Sequence, residues 1–280
     1  MIKNKVKYFF LSILPFVICL GLEFLISIPF IEIALLRTFS KGQAGFFNAL
    51  PESLMEYFSN TNFTGGISFA YSIVVIILFG IWYHKLNKKH LLREHTSFSI
   101  RSNGVLILLC IVLYYSSNYV TTITAAFFPN ALTTYNNLID QAGLTSNQLS
   151  PIMVIYALVL GPIGEELVFR GVTLTYARKA LPFWIANILQ AALFGLLHMN
   201  LIQGVYVFVC GLFFGYIRKS AGTIRASIHL HIMFNVVGLL VSQYLPYYDG
   251  SKIIINAVIL AGILLLALTL CKWFHHAKRH

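Results

Sequence analysis

Eight stretches of this chain are apolar over a length that can cross a lipid bilayer: about 8–31, 66–84, 103–128, 151–177, 181–199, 202–217, 226–246 and 252–271. A helix needs roughly 20 mainly apolar residues to cover about 30 Å of hydrocarbon. Inside that layer only structures that satisfy their own backbone hydrogen bonds persist. The pattern therefore predicts an all-α, polytopic membrane protein with about eight transmembrane helices. The sixth run is the short one, and the fourth is interrupted at GPIG, residues 161–164. Composition agrees: 10% of the 280 residues are charged and the mean hydropathy is +0.77, whereas soluble domains carry about 25% charged residues.

The net charge of +11 could suit a nucleic-acid binder, but its placement excludes that. Basic residues cluster at the ends of apolar runs, which is the pattern that orients membrane helices. With the N-terminus inside, sixteen Lys and Arg fall on the inner side, among them Lys85, Arg178, Lys179, Arg218, Lys219 and Arg225. Three (Arg37, Lys41, Lys252) fall outside, and Arg170 is left within a span. The expected placement is an integral protein of a bacterial plasma membrane with both termini cytoplasmic. The N-terminus reads as a retained first helix, because its apolar run is long for a signal peptide and no clear small-residue cleavage site follows. Cys19, Cys110, Cys210 and Cys271 lie in separate spans without CxxC spacing, so neither a disulfide framework nor a thiolate metal site is expected.

A single membrane domain covers 1–280: N-terminal helices and loops over 1–150, core helices over 151–246, and a last helix with a basic tail over 247–280. Residues 32–65 read as an outer loop with room for a short interfacial helix. Residues 85–101 read as a basic inner loop that faces anionic headgroups, and 129–150 as a polar outer segment. Polar residues that loops do not explain are concentrated between 161 and 235.

An ionisable group at membrane depth costs at least about 2.5–3.5 kcal/mol, so its default reading is functional. Three clusters qualify: Glu165, Glu166 and Arg170; then His198; then Ser227, His231 and Asn235. Glu166 and Arg170 are spaced i, i+4 and can pair on one helix face. Glu165 is rotated about 100° away, is expected to point elsewhere, and so suits a general base. Ser227, His231 and Asn235 form a polar stripe at i, i+4, i+8, with His229 on the other side. At about 1.5 Å per residue, Glu165 and His198 lie roughly 22 and 27 Å from the inner turn near residue 180. His231 and Asn235 come out shallower, roughly 9 and 15 Å from Arg225. Either the seventh helix starts deeper, or the site opens toward the inner face.

These residues resemble the three motifs of the CAAX-protease and bacteriocin-processing intramembrane endopeptidases: Glu-Glu-x-x-x-Arg as EELVFR (165–170), Phe-x-x-x-His as FGLLH (194–198), and His-x-x-x-Asn as HIMFN (231–235). The resemblance covers about 155–240. It implies peptide-bond hydrolysis within the membrane on a membrane-associated peptide or protein. In that picture Glu165 and His198 activate a water, Arg170 holds Glu166, and His231 and Asn235 donate to the developing oxyanion. No HExxH is present, and a catalytic zinc wants about three protein ligands, so a metal-free mechanism without cofactor is expected. Zinc at Glu165, His198 and His231 is the alternative. Two other function classes stay open: a transporter that uses the carboxylates as proton relays, and a non-catalytic immunity or sensor-regulating protein that acts on other membrane proteins.

Overall fold

Apolar side chains gain nothing from facing one another rather than lipid, but an unpaired peptide group in hydrocarbon costs several kcal/mol; the long apolar runs are accordingly all helical. The computed structural model describes residues 2–40, 56–88, 100–141, 150–241 and 249–277. Its main helices are α1 (Ile2–Ser40), α2 (Thr61–Lys88), α3 (Ile100–Phe127), α4 (Pro129–Gln141), α5 (Pro151–Ala180), α6 (Phe183–Leu197), α7 (Leu201–Ala221), α8 (Ile224–Val241) and α9 (Ile253–Ala277). Among the described residues no strand occurs.

Seven of these are long and apolar enough to cross a membrane; α6, apolar but 15 residues long, falls short. The expected short span is thus displaced by one: α7 runs 21 residues and α6 is the short helix. Nor is the fourth span interrupted. α5 continues through GPIG because the helix widens beside it. Gly161 N–H bonds back to Tyr156 C=O, five residues earlier, so the turn over Tyr156–Leu160 is π-helical. Pro162 has no N–H to give and its ring crowds the preceding turn, which a wider turn accommodates. A second π-helical stretch, Leu167–Thr173, follows the carboxylates and holds Arg170.

The polar segment 129–150 also differs from expectation, since Pro129–Gln141 is helical; proline suits a first helical turn. The middle of the expected 32–65 loop and most of the basic 85–101 loop lie outside the described residues, while α1 extends to Ser40 and α2 to Lys88.

Two large apolar clusters dominate the core, beside a small one of Leu174, Ala177 and Ala186. One joins α3, α7, α8 and α9 around Leu109, Leu113, Phe214, Leu230 and Phe274. The other joins α1, α2, α5 and α6 around Phe79, Phe169, Val172 and Phe194. The buried Glu166–Arg170 pair lies at the seam between them, with Phe194 on one side and Phe214 on the other.

Candidate active site

Glu166 and Arg170 form the centre. Arg170 Nη1 lies 2.9 Å from Glu166 Oε1, both side chains are 0% exposed, and the i, i+4 spacing read from the sequence makes the pair. The guanidinium is also sandwiched between aromatic faces, its Cζ 4.2 Å from the Phe194 centroid and 5.2 Å from that of Phe214. A cation over a ring face gains about 0.5–2 kcal/mol when desolvated. On the α7 side Arg170 needs Gly211, where an added Cβ would sit 3.1 Å from Nη2.

Glu165 does not point away from this centre. Its Oε2 lies 3.6 Å from His231 Nε2, while His231 Nδ1 lies 3.1 Å from Glu166 Oε1. One imidazole thus stands between two adjacent carboxylates, one on each ring nitrogen. The reason is the long, flexible glutamate side chain together with the wide turn that begins at Leu167: a 100° rotation at the backbone does not separate two carboxylates that reach for the same ring. Glu166, held by Arg170, is the ionised acceptor, so His231 Nδ1 carries a hydrogen and donates to it.

The two carboxylates differ in setting. Glu166 is sealed, whereas the Glu165 side chain is 22% exposed. It opens on a cavity of ≈ 10 Å³ lined by Cys19 of α1, Tyr71 and Val75 of α2, Tyr156, and Leu197 beside His198. That volume is about what one water molecule needs.

His198 ends α6. Its Nδ1 donates to Phe194 C=O at 2.9 Å, because a carbonyl only accepts. The Nε2 lone pair is therefore the available one. The ring lies edge-on to Phe194, 5.2 Å away, and within electrostatic reach of Glu165 and His231. The helix stops sharply here: Met199 adopts φ 50°, and the Asn200 side chain then caps α7 by accepting from Gln203 N–H.

Asn235 donates from Nδ2 to Ala157 C=O at 2.8 Å, which commits one of its two amide hydrogens to the π-helical turn of α5. The Ser227 hydroxyl donates to Ile224 C=O. His229 is exposed, away from the cluster. His231 lies deeper than its distance from Arg225 predicts, because α8 does not start level with the end of α5. Ile224, its first residue, instead packs at Gly171 of α5, nine residues before α5 ends. At about 1.5 Å per residue the start of α8 is some 13 Å deep, and His231 reaches the carboxylates.

Zinc requires a converging donor set. Among the described residues no group of three or more His, Cys, Asp or Glu is arranged to hold a metal ion, and both His231 nitrogens already face carboxylates. Several participants had no signal in the sequence: Phe214, Gly211, Cys19, Tyr71 and Tyr156 are ordinary membrane-helix residues until packing collects them.

Two glutamates, an arginine and a histidine from α5 and α8 meet, and His198 at the end of α6 packs on Phe194, which also touches His231. Residues 147–237 match the family model described as type II CAAX prenyl endopeptidase Rce1-like. Over that segment the match supports the resemblance to the CAAX-protease and bacteriocin-processing family that the three motifs carry. It is also 28% identical over 95 residues to a Bacillus subtilis (strain 168) protein named "Putative membrane peptidase YdiL"; the match spans 34% of this chain and 39% of that relative. No solved structure matches the chain. The family is one of membrane proteases, and the part of this chain it matches is the part that carries the buried charges, α5 to α8.

Proposed function

We propose that this chain is an intramembrane endopeptidase that hydrolyses peptide bonds of membrane-associated peptides or proteins with a glutamate-activated water. The observation that carries the reading is the asymmetry of the two carboxylates: Glu166 locked to Arg170 and His231, Glu165 facing the same histidine and a water-sized cavity.

In the proposed reaction Glu165 takes a proton from a water in that cavity, with the His198 Nε2 lone pair orienting the same molecule. The water oxygen bonds to the substrate carbonyl carbon, whose π electrons move to oxygen. A hydrogen bond from the free Asn235 amide hydrogen stabilises the oxyanion, a contribution worth about 2.7–4 kcal/mol per donor in soluble proteases; His231, whose Nδ1–H is committed to Glu166, serves to position Glu165 rather than to donate to the oxyanion. The C–N bond then breaks, and the proton held by Glu165 passes to the leaving amine. Glu166 and Arg170 keep His231 in place throughout. No metal enters this scheme.

The test compares membrane peptides from cells carrying the wild type or Glu165→Gln, by mass spectrometry. Loss of a general base lowers rate by about 10²–10⁴-fold, so specific cleavage products should vanish while the variant remains folded. Full product formation by E165Q would end the proposal, and substrate-driven uptake into proteoliposomes without cleavage would favour a transporter. Activity should survive exhaustive chelation; loss that zinc restores would replace the metal-free scheme.

A further inference from the structure

The ends of α5 and α7 each carry two cations, Arg178 and Lys179 on one helix and Arg218 and Lys219 on the other. The Phe183 ring at the start of α6 lies between two of them, with Lys219 Nζ 4.0 Å and Arg178 Cζ 5.9 Å from its centroid. Arg218 is the buried member. It is 6% exposed, donates from Nη2 to the Tyr83 hydroxyl at 3.2 Å, and keeps a buried Nε–H with no hydrogen-bond partner. Arg178 is exposed at the rim, within repulsive range of Arg218. Among the described residues no carboxylate pairs with any of the four.

A buried cation with an idle donor is unfavourable unless something accepts from it, and a second guanidinium nearby worsens the imbalance. A group with several anionic oxygens resolves both at once, since planar guanidinium forks match phosphate geometry. The depth of the cluster indicates where such a group comes from. It lies at the ends of two membrane-crossing helices, beside a belt of amphipathic aromatics: Trp82 Nε1 donates to the Tyr176 hydroxyl at 3.1 Å, and Trp184 stacks on Tyr216. Tryptophan and tyrosine collect at headgroup level, where the phosphates belong to lipid.

We propose that Arg218 and Arg178, flanked by Lys219, form a binding site for the phosphate of an anionic lipid headgroup. The site is separate from the carboxylates but abuts their helix, because Tyr83, the partner of Arg218, packs against Gly171, the neighbour of Arg170. A bound lipid therefore stabilises the folded core by mass action.

Full-length protein in neutral detergent is given phosphatidylglycerol, phosphatidylcholine or inorganic phosphate. Retained lipid is read by native mass spectrometry and Tm by thermal denaturation. Wild type should retain one phosphatidylglycerol in preference to phosphatidylcholine and rise in Tm with it. Arg178→Gln and Arg218→Gln should each lower that retention by about tenfold or more, the value of a charge-assisted hydrogen bond. Lys272→Gln, which removes an exposed cation near the end of α9, should leave it unchanged. Equal loss in K272Q means diffuse attraction and overturns the proposal, as does equal retention of the two lipids. A Tm rise with inorganic phosphate that matches the lipid's assigns the site to a soluble anion and overturns the lipid assignment. Should R218Q fail to fold for want of the Tyr83 contact, R178Q, altered only at the exposed rim, decides alone.

Discussion

The contact between α6 and α7 and the contact between α3 and α9 solve the same problem differently. α3 and α9 pack through Leu106, Leu109, Leu113, Leu270 and Phe274, while the other face of α9 presents Val258, Leu265 and Trp273 outward. α6 and α7 pack backbone to backbone. A Cβ at Gly195 would lie 2.5 Å from Gly204 C=O, and one at Gly215 would overlap the Asn187 side chain. Asn187 donates to Leu212 C=O, and Gln190 donates to Gly211 C=O and to Asn187 Oδ1, each at 2.9 Å. In a bilayer, lipid tails compete for apolar faces, so association depends on close packing and interhelical hydrogen bonds. The apolar contact tolerates change. The polar, glycine-lined one fixes Phe194 and Phe214 around Arg170 and cannot drift without disturbing the ion pair.

Removing one member of the pair that α6 and α7 enclose should cost most. Glu166→Gln or Arg170→Gln leaves an uncompensated buried charge or donor, at about 3–5 kcal/mol, read as a large fall in Tm or loss of folded protein. Next comes Gly215→Ala, which forces Asn187 to move; overpacking costs about 1–3 kcal/mol. The loss should shrink in the Gly215→Ala, Asn187→Ala double variant, because the two sites are in contact. Gln190→Ala removes hydrogen bonds that in membrane bundles average about 0.6 and reach about 1.7 kcal/mol. Smallest is Gly262→Ala on α9, where a Cβ meets nothing within 4 Å; the change should stay within about 0.5 kcal/mol. If G262A proves as costly as G215A in the same thermal assay, the contrast between the two contacts is wrong.

The motifs were readable because they are local. Glu166 and Arg170 sit one turn apart, so their spacing in the chain already implies their pairing. Where a contact joins distant segments, the sequence misled. It set Glu165 apart from Glu166 although both reach His231, and it called the sixth span short although α6 is the 15-residue helix. It also read GPIG as a break, because composition does not reveal that a widened turn can absorb a proline.

Long apolar runs and the chain's own charge spacing determined an all-α membrane protein with carboxylates buried near its fourth span. That much follows from the chain alone, because lipid imposes helices and one helical turn relates neighbouring side chains. Only the tertiary structure decided which imidazole stands between the two glutamates, how deep α8 begins, and which aromatic rings close over Arg170. Those depend on how helices far apart in sequence cross, and helix crossing is set by close approach at glycines and by amides that bond only when two backbones meet.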